Sequence, residues 1–151
     1  MKGCFIASSG GHWEELMCLS EIAGLCDGFY VTEDGGQADE SSVEKLYVVP
    51  QINRHEKHFL LHFIRLFGQA FRILRQEKPE FVISTGALIA FPFCICAKLM
   101  GARIIYIESF ARVHDRSLTG RLVYPIADLF LVQWESLLEV YPKAKYVGGI
   151  F

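Results

Sequence analysis

Short runs rich in β-branched and aromatic residues alternate with helix-length amphipathic stretches along this chain, and that alternation limits its fold more than any other feature. The expected strands are Gly3–Ala7, Phe29–Thr32, Leu46–Val49, Phe81–Ser84, Ile104–Glu108, Leu129–Val132 and Tyr146–Val147. The expected helices are His12–Ala23, Glu56–Gln76, Ala87–Met100, Thr119–Ile126 and Ser136–Tyr141. Strands joined through helices pair in parallel, and a parallel sheet needs cover on both faces, so the pattern predicts a doubly wound α/β domain. A length of 151 residues fits one such domain. The apolar fraction of 52% fits its layered core, or a chain that also meets a partner or a membrane.

Several classes of protein are excluded. A net charge of −2 does not suit a broadly basic nucleic-acid binder, so no nucleic-acid partner is expected. The five cysteines form no C-x-x-C pair, and Cys94 and Cys96 are splayed, so the chain reads as reduced and without a zinc site. Met1-Lys2 leads into only a strand-length apolar run, which is not a signal peptide. The apolar run from Phe81 to Met100 is interrupted by Ser84-Thr85-Gly86 and Pro92 and closed by Lys98, short of a membrane span. The polar stretch Glu33–Glu44 is expected as a mobile loop at the carboxyl end of the second strand.

The chemistry concentrates at strand ends. Ser8-Ser9-Gly10-Gly11-His12 follows the first strand and precedes the helix-like Trp13-Glu14-Glu15-Leu16-Met17. A strand that breaks at two glycines and restarts as a helix turns free backbone N–H groups to a ligand above the sheet, a seat for phosphate, and His12 sets an imidazole on its rim. Thr85 and Gly86 repeat the arrangement after the fourth strand, opening the next helix. Glu108 ends the fifth strand with Ser109, Arg112, His114, Asp115 and Arg116 close behind, and in an open parallel sheet it should share the rim with His12 and Thr85. An imidazole, a carboxylate and arginines around glycine turns suit a phosphorylated substrate whose hydroxyl must lose a proton. Each motif also has a plain structural reading, as a capped turn or a solvated loop.

Helix 56–76 carries Phe59, Leu60, Phe63, Ile64, Phe67 and Phe71 on an apolar arc about 180° wide, broader than the stripe a core-facing helix needs. The other arc holds Lys57, His58, His62, Arg65, Gln69, Arg72 and Arg75, with no acid among them. That pattern suits a helix lying in an anionic membrane surface through Phe59, Phe63 and Phe67 with Arg65, Arg72 and Arg75; packing against a neighbour or a partner is the alternative. His55, His58 and His62 read as a solvated or lipid-facing row, because no carboxylate or cysteine accompanies them as a metal ligand.

Taken in order, Ser9-Gly10-Gly11-His12 with Glu15-Leu16, Ser84-Thr85-Gly86 with Pro92 and Ala97-Lys98, Ile107-Glu108-Ser109 with Arg112-Val113, Ser117-Leu118-Thr119-Gly120-Arg121, Asp128 and Gln133-Trp134 resemble the Alg fourteen/PssD family. That family includes bacterial capsule and exopolysaccharide proteins described as glycosyltransferase enhancers. More distantly, the chain is similar to the N-terminal half of MurG. The resemblance implies a Rossmann-like domain, the N-terminal, acceptor-side half of a GT-B glycosyltransferase divided over two polypeptides. A separate donor-binding subunit, Alg thirteen/PssE-like, would hold the UDP-sugar, and this chain would present a polyprenyl-diphosphate-linked saccharide at the cytoplasmic membrane surface, without a cofactor. The chain ends at Val147-Gly148-Gly149-Ile150-Phe151, where joined enzymes pass from one half to the other. Eukaryotic members carry an N-terminal membrane helix that is missing here, which leaves helix 56–76 as the expected attachment. On this resemblance His12 or Glu108 would accept the proton, while Ser9, Gly10, Gly11, Thr85, Gly86, Arg112 and Arg116 would face diphosphate. The glycine turn is shorter than MurG's. Two alternatives remain, a non-catalytic scaffold that activates the partner and a nucleotide-dependent oxidoreductase using Glu33 or Asp34 on a ribose.

Overall fold

β1 (Lys2–Ile6) can occupy the middle of a sheet because it is apolar on both faces. Cys4 and Ile6 turn into one layer and Phe5 and Ala7 into the other, and all four are fully buried. In the computed structural model, which describes residues 1–36 and 43–151, β1 is followed by α1 (Gly11–Met17), α2 (Ser20–Gly24), β2 (Asp27–Glu33) and β3 (Leu46–Val49). Then come α3 (Phe59–Glu77), β4 (Phe81–Ser84), α4 (Ala90–Leu99), β5 (Arg103–Ile107), α5 (Leu118–Val123), β6 (Leu129–Val132), a 3-10 turn at Glu135–Glu139, and β7 (Lys145–Tyr146). The seven strands run in the order β3-β2-β1-β4-β5-β6-β7, and every pair is parallel. The doubly wound parallel sheet expected from the alternation is the fold observed.

Two layers cover the sheet. On one face α3, α4 and α5 bury Leu66, Ala70, Leu74, Phe93 and Val123 against Cys4, Phe29, Val82, Ile104 and Phe130. On the other, α1 and α2 bring Trp13, Leu16 and Ala23 against Phe5, Tyr30, Ile83 and Ile107. That second cover is short, and a cavity of about 700 Å³ lies open beside it, lined by Met1, Ile22, Phe81, Ile83 and Ile105. α4 is apolar all round because it is sandwiched, and Pro92 is tolerated in its first turn, where its missing N–H has no intrahelical partner to lose. All five thiols are free, and burial pushes that of Cys94 up to about 12.

Element boundaries depart from the sequence reading for local reasons. The helix expected over His12–Ala23 is two, since Leu19 leaves helical geometry (φ −95°, ψ 10°) and its N–H turns back to the Leu16 carbonyl. α3 begins at Phe59 rather than Glu56, because His58 leaves helical geometry (φ −121°, ψ 32°) and the Glu56 carboxylate bonds His62 instead. α4 begins at Ala90 rather than Ala87, since Gly86 (φ 126°) and Ala87 (φ 76°) both hold positive φ and postpone helical geometry. The expected helix Ser136–Tyr141 is a 3-10 turn. Of the loop expected over Glu33–Glu44, residues 37–42 lie outside the described residues.

The edge of the sheet remote from the strands' carboxyl ends is tied by one buried carboxylate. Glu77, in the last turn of α3, sits at the negative end of the helix dipole, where an acid is unfavourable alone. Lys2 and Lys45 reach it at 2.7 Å each, and the Tyr47 hydroxyl donates to it at 2.5 Å, joining α3 to β1 and β3. Burial alone would raise its pKa, but the hydrogen bonds from Lys2, Lys45 and Tyr47 outweigh burial and hold it at about 2. The folded pKa lies below the ordinary 4.5, so this stabilisation is complete above pH 4.5 and is lost as pH falls towards 2. Replacing Glu77 with Gln is expected to lower stability at neutral pH by roughly 2 kcal/mol, the scale of a hydrogen-bonded charge. Urea unfolding between pH 2 and pH 7 should show the variant losing less stability than the parent over that acid range.

Candidate functional site

The chain leaves β1 towards β2 and β3 and then returns to lay β4 on the other side of β1. Loops that follow β1 and β4 therefore diverge and leave a crevice beyond their carboxyl ends, the place where open α/β sheets bind ligands. Gly10 stands at φ 83° and ψ −143°, a conformation that glycine alone adopts without strain, and α1 starts directly after it. From the β4 side comes Thr85-Gly86, buried, with the Ser84 hydroxyl accepting from the Gly86 N–H at 3.1 Å.

Two reciprocal bonds close the crevice floor. The Thr85 hydroxyl donates to the His12 carbonyl at 2.6 Å, and His12 Nδ1 lies 3.0 Å from the Thr85 carbonyl. A carbonyl can only accept, so Nδ1 carries the proton and the neutral ring keeps its lone pair on Nε2. The ring lies over Gly86, where any Cβ would strike it at 2.7 Å, so a glycine is required by contact as well as by φ. Sequence reasoning placed His12, Thr85 and Gly86 on one rim, and the structure brings them together. Ser9, Gly10 and Gly11 adjoin them on the β1 side, with Gly10 and Gly11 exposed.

Glu108 is not on that rim. Its expected place is corrected by complete burial: Oε1 accepts from the Ser109 N–H at 3.1 Å, and Oε2 from the Ser117 N–H at 3.2 Å, the Ser117 hydroxyl at 3.0 Å and the Tyr141 hydroxyl at 2.6 Å. Burial first, then the bond to Glu108, pushes the Tyr141 phenol far up, so it remains a donor. Four donors converging on two oxygens hold the loop 109–117 closed. Arg112 and Arg116 lie exposed on that loop, Arg116 with its guanidinium 5.7 Å from the centre of the Tyr141 ring.

A second buried carboxylate had no role assigned from sequence. Glu15, on α1, accepts from the Ser109 hydroxyl at 2.9 Å, the Phe110 N–H at 3.2 Å and Gln133 Nε2 at 2.8 Å. Gln133 also donates to the Glu108 carbonyl at 3.1 Å and accepts from the Ile150 N–H at 3.0 Å. One acid thereby fixes the loops after β5 and β6 to the helix that carries His12. A signal was present in the pattern, a carboxylate between the core residues Trp13 and Leu16 of a short helix.

The aromatic arc of α3 divides. Phe63 and Phe67 pack on Phe91 of α4 with ring centres 6.4 and 6.2 Å apart, and Phe59 stacks on Phe63 at 5.4 Å. These three residues were expected to face lipid and are instead half-buried along the α3–α4 seam. Leu60, Leu61, Ile64 and Phe71 are the exposed apolar side chains, between 48% and 69% accessible, and Arg65, Arg72 and Arg75 are exposed beside them. His62 Nδ1 lies 2.8 Å from Glu56, so the basic row is not free of acids as read. No described helix is long and apolar enough to cross a membrane, and among the described residues no three His, Cys, Asp or Glu are grouped to hold a metal.

The fold is that of MurG from Acinetobacter baumannii, at TM-score 0.80 and 16% identity over 97% of this chain and 45% of that one. UDP-GlcNAc 2-epimerase from Methanocaldococcus jannaschii, solved with UDP-GlcNAc and UDP, gives TM-score 0.75 and 15% identity over 99% of this chain and 47% of that one. The chain thus spans about half the length of these structures and has the Rossmann-like architecture of one half of a GT-B fold, as expected. The family model described as "Oligosaccharide biosynthesis protein Alg14 like" matches residues 51–150. A "UDP-N-acetylglucosamine transferase subunit alg14" from Schizosaccharomyces pombe is 39% identical over 93% of this chain and 79% of its own length; the human protein of that name is 29% identical over 96% and 81%. The chain belongs to the Alg14-like oligosaccharide biosynthesis family.

The geometry separates His12 from Glu108 in a measurable way. Glu108→Gln turns an amide donor against donors already in place and should lower stability by about 3 kcal/mol, the scale of a broken buried charge network. His12→Ala should change it by less than about 1 kcal/mol, since among the described residues the ring makes one hydrogen bond. Denaturant midpoints of both variants check this, and an unchanged midpoint for Glu108→Gln contradicts its anchoring role.

Proposed function

We propose that this chain is the acceptor-side subunit of a two-component, membrane-associated glycosyltransferase. In this reading the assembled enzyme moves a sugar from a UDP-sugar to a polyprenyl-diphosphate-linked saccharide, in capsule or exopolysaccharide assembly. The observation that carries it is the His12 imidazole, held by Thr85 in the tautomer that leaves Nε2 basic, between two glycine-bearing turns at the switch point of the sheet. Family membership supports the chemistry, because its relatives are named as transferase subunits.

His12 Nε2 takes the proton from the attacking acceptor hydroxyl as the new glycosidic bond forms and the UDP leaves on the partner's side. The exposed Gly10-Gly11 turn with Ser9 faces the diphosphate, Arg112 and Arg116 on the adjoining loop supply positive charge, and Thr85-Gly86, expected to face diphosphate too, instead lies buried beneath the His12 ring and positions it. Glu108 contributes by holding that loop, not by moving the proton. The UDP-sugar is bound by a donor-binding subunit, which meets this domain at the crevice beyond the carboxyl ends of the strands.

Attachment to the cytoplasmic face of the membrane is peripheral and runs through α3. Leu60, Ile64 and Phe71 enter the boundary of headgroups and acyl chains, while Arg65, Arg72 and Arg75 meet anionic headgroups. The packed residues Phe59, Phe63 and Phe67 stiffen the helix from behind.

Activity is expected only from the pair. Given UDP-sugars and a lipid-linked acceptor, the chain with its donor-binding subunit should turn over, and the chain alone should not; robust single-chain turnover defeats the divided-enzyme reading. His12→Ala should slow the pair by on the order of a hundredfold or more with the complex intact. A rate within a few-fold of the parent would make this chain a scaffold for a catalytic partner.

Replacing Arg65, Arg72 and Arg75 together with glutamine should remove roughly 1 kcal/mol of attraction per residue towards anionic vesicles. Co-sedimentation should fall and lose its salt dependence. Unchanged co-sedimentation of the folded triple variant would assign this face to a protein partner instead.

A further inference from the structure

On the side of the crevice away from Glu108, a cavity of about 410 Å³ opens at the carboxyl ends of β2 and β3, and the proposed mechanism does not use it. It is lined by Glu33, Gln51, Ile52, Asn53, Arg54 and Leu88 among others. Its volume falls within the range of small-molecule sites.

Position and chemistry both bear on what it holds. The β1–β2 register pairs Ile6 with Val31, and continued by two residues it sets Glu33 abreast of Ser8, one strand spacing from the Ser9-Gly10-Gly11 turn. The loop after Glu33 presses on that turn, for Gly36 touches the Ser9 side chain so closely that a Cβ there has no room. From the other side, Leu88 lies two residues beyond Gly86, over which the His12 ring is stacked. The cavity therefore adjoins the Ser9-Gly10-Gly11 turn and the proposed base.

Its walls are mixed in a particular way. Glu33 is half-buried, its carboxyl pushed up by burial, and among the described residues nothing donates a hydrogen bond to it. Asn53 spends its Oδ1 on the His55 N–H at 3.2 Å, which leaves its amide N–H₂ as a donor. Arg54 and Gln51 add donors, while Ile52 and Leu88 offer apolar surface. A carboxylate beside amide and guanidinium donors, with aliphatic surface close by, matches a sugar ring: adjacent hydroxyls donate to the carboxylate, ring oxygens accept, and C–H faces lie on the aliphatic side chains. Arg54 and His55 also line the cavity, so an anion is not excluded, but only a ligand with hydroxyl groups gives Glu33 a donor. The end of the second strand is also where open α/β sheets place the acid that holds a ribose diol, so the shared chemistry is a vicinal diol from either a saccharide or a nucleotide.

We propose that this cavity is the sugar subsite of the acceptor, in which the saccharide carried on the polyprenyl diphosphate is recognised through a vicinal diol by Glu33 and through a ring or hydroxyl oxygen by Asn53. The inference rests on the acceptor-side function proposed above. It makes Glu33 a specificity-determining residue that distinguishes a glycosylated lipid diphosphate from a bare one.

Titration calorimetry on the full chain tests it with farnesyl diphosphate, with farnesyl diphosphate bearing one glucosyl, galactosyl or N-acetylglucosaminyl residue, and with UDP. The parent should bind at least one glycosylated probe about tenfold tighter than farnesyl diphosphate, the worth of one charged hydrogen bond. Glu33→Gln, which keeps the side-chain shape, and separately Asn53→Ala should bring that ratio to within about twofold, leave farnesyl diphosphate binding unchanged and leave UDP binding unchanged. A preserved ratio in both folded variants overturns the subsite while the acceptor-side function stands. A loss of UDP affinity in Glu33→Gln with the ratio preserved reassigns the diol to a nucleotide and overturns it equally. Failure of the parent to bind any farnesyl probe overturns the acceptor-side function itself, and the subsite with it.

Discussion

A parallel sheet gathers the carboxyl ends of all its strands along one edge, and the reversal of strand order between β1 and β4 opens that edge at one point. The structure closes the opening with only two hydrogen bonds between His12 and Thr85, which are 73 positions apart in the chain. Because each residue lends both a side chain and a carbonyl, neither turn can shift without the other. The same pairing that sets the two turns against each other also sets the imidazole's tautomer, so one contact serves local structure and chemistry together.

Around that contact, buried acids carry the order of the rim. Glu15 and Glu108 accept from backbone N–H groups and side chains of two loops, the β5–α5 loop at both of its ends and the loop after β6. An ionised carboxylate offers about four acceptor sites against the two of an amide oxygen or a hydroxyl, so one acid satisfies several orphan donors at once. Loops that would otherwise expose unpaired N–H groups can then lie at the edge of a ligand crevice without collapsing into it. Glu77 plays the same part at the far edge, where lysines supply the donors.

The layout of strands was legible because burial on both faces writes itself as continuous apolar runs; β3, β4 and β6 have the bounds the pattern implies. Helix starts were less so, since Ala87 at positive φ leaves no mark in composition and only the glycine before it hints at delay. His12, Thr85 and Gly86 could be brought together from sequence, because topology alone puts their loops side by side. Glu108 could not be placed. Its strand-end position argues for the rim, and only the convergence of Ser117 and Tyr141, remote in sequence, shows that it points inward. For α3, periodicity measures how wide an apolar arc is but not which part of it a neighbour covers, and Phe91 decides that Phe63 and Phe67 belong to the inside.

The use of acids as internal anchors has an electrostatic consequence. A chain of net charge −2 is an unpromising host for a diphosphate, yet Glu15 and Glu108 are turned inward and saturated by donors. What the neighbouring loop presents to solvent is Arg112, His114 and Arg116, with Asp115 as the opposing charge. The local field at the crevice is thereby uncoupled from the overall charge. Glu33 is the exception, an acid at the rim that lines a cavity on the opposite side from the arginines. A ligand that is anionic at one end and hydroxylated at the other would lie across the crevice in one direction only, its charge towards Arg112 and its hydroxyls towards Glu33, and that polarity carries its reacting end past His12.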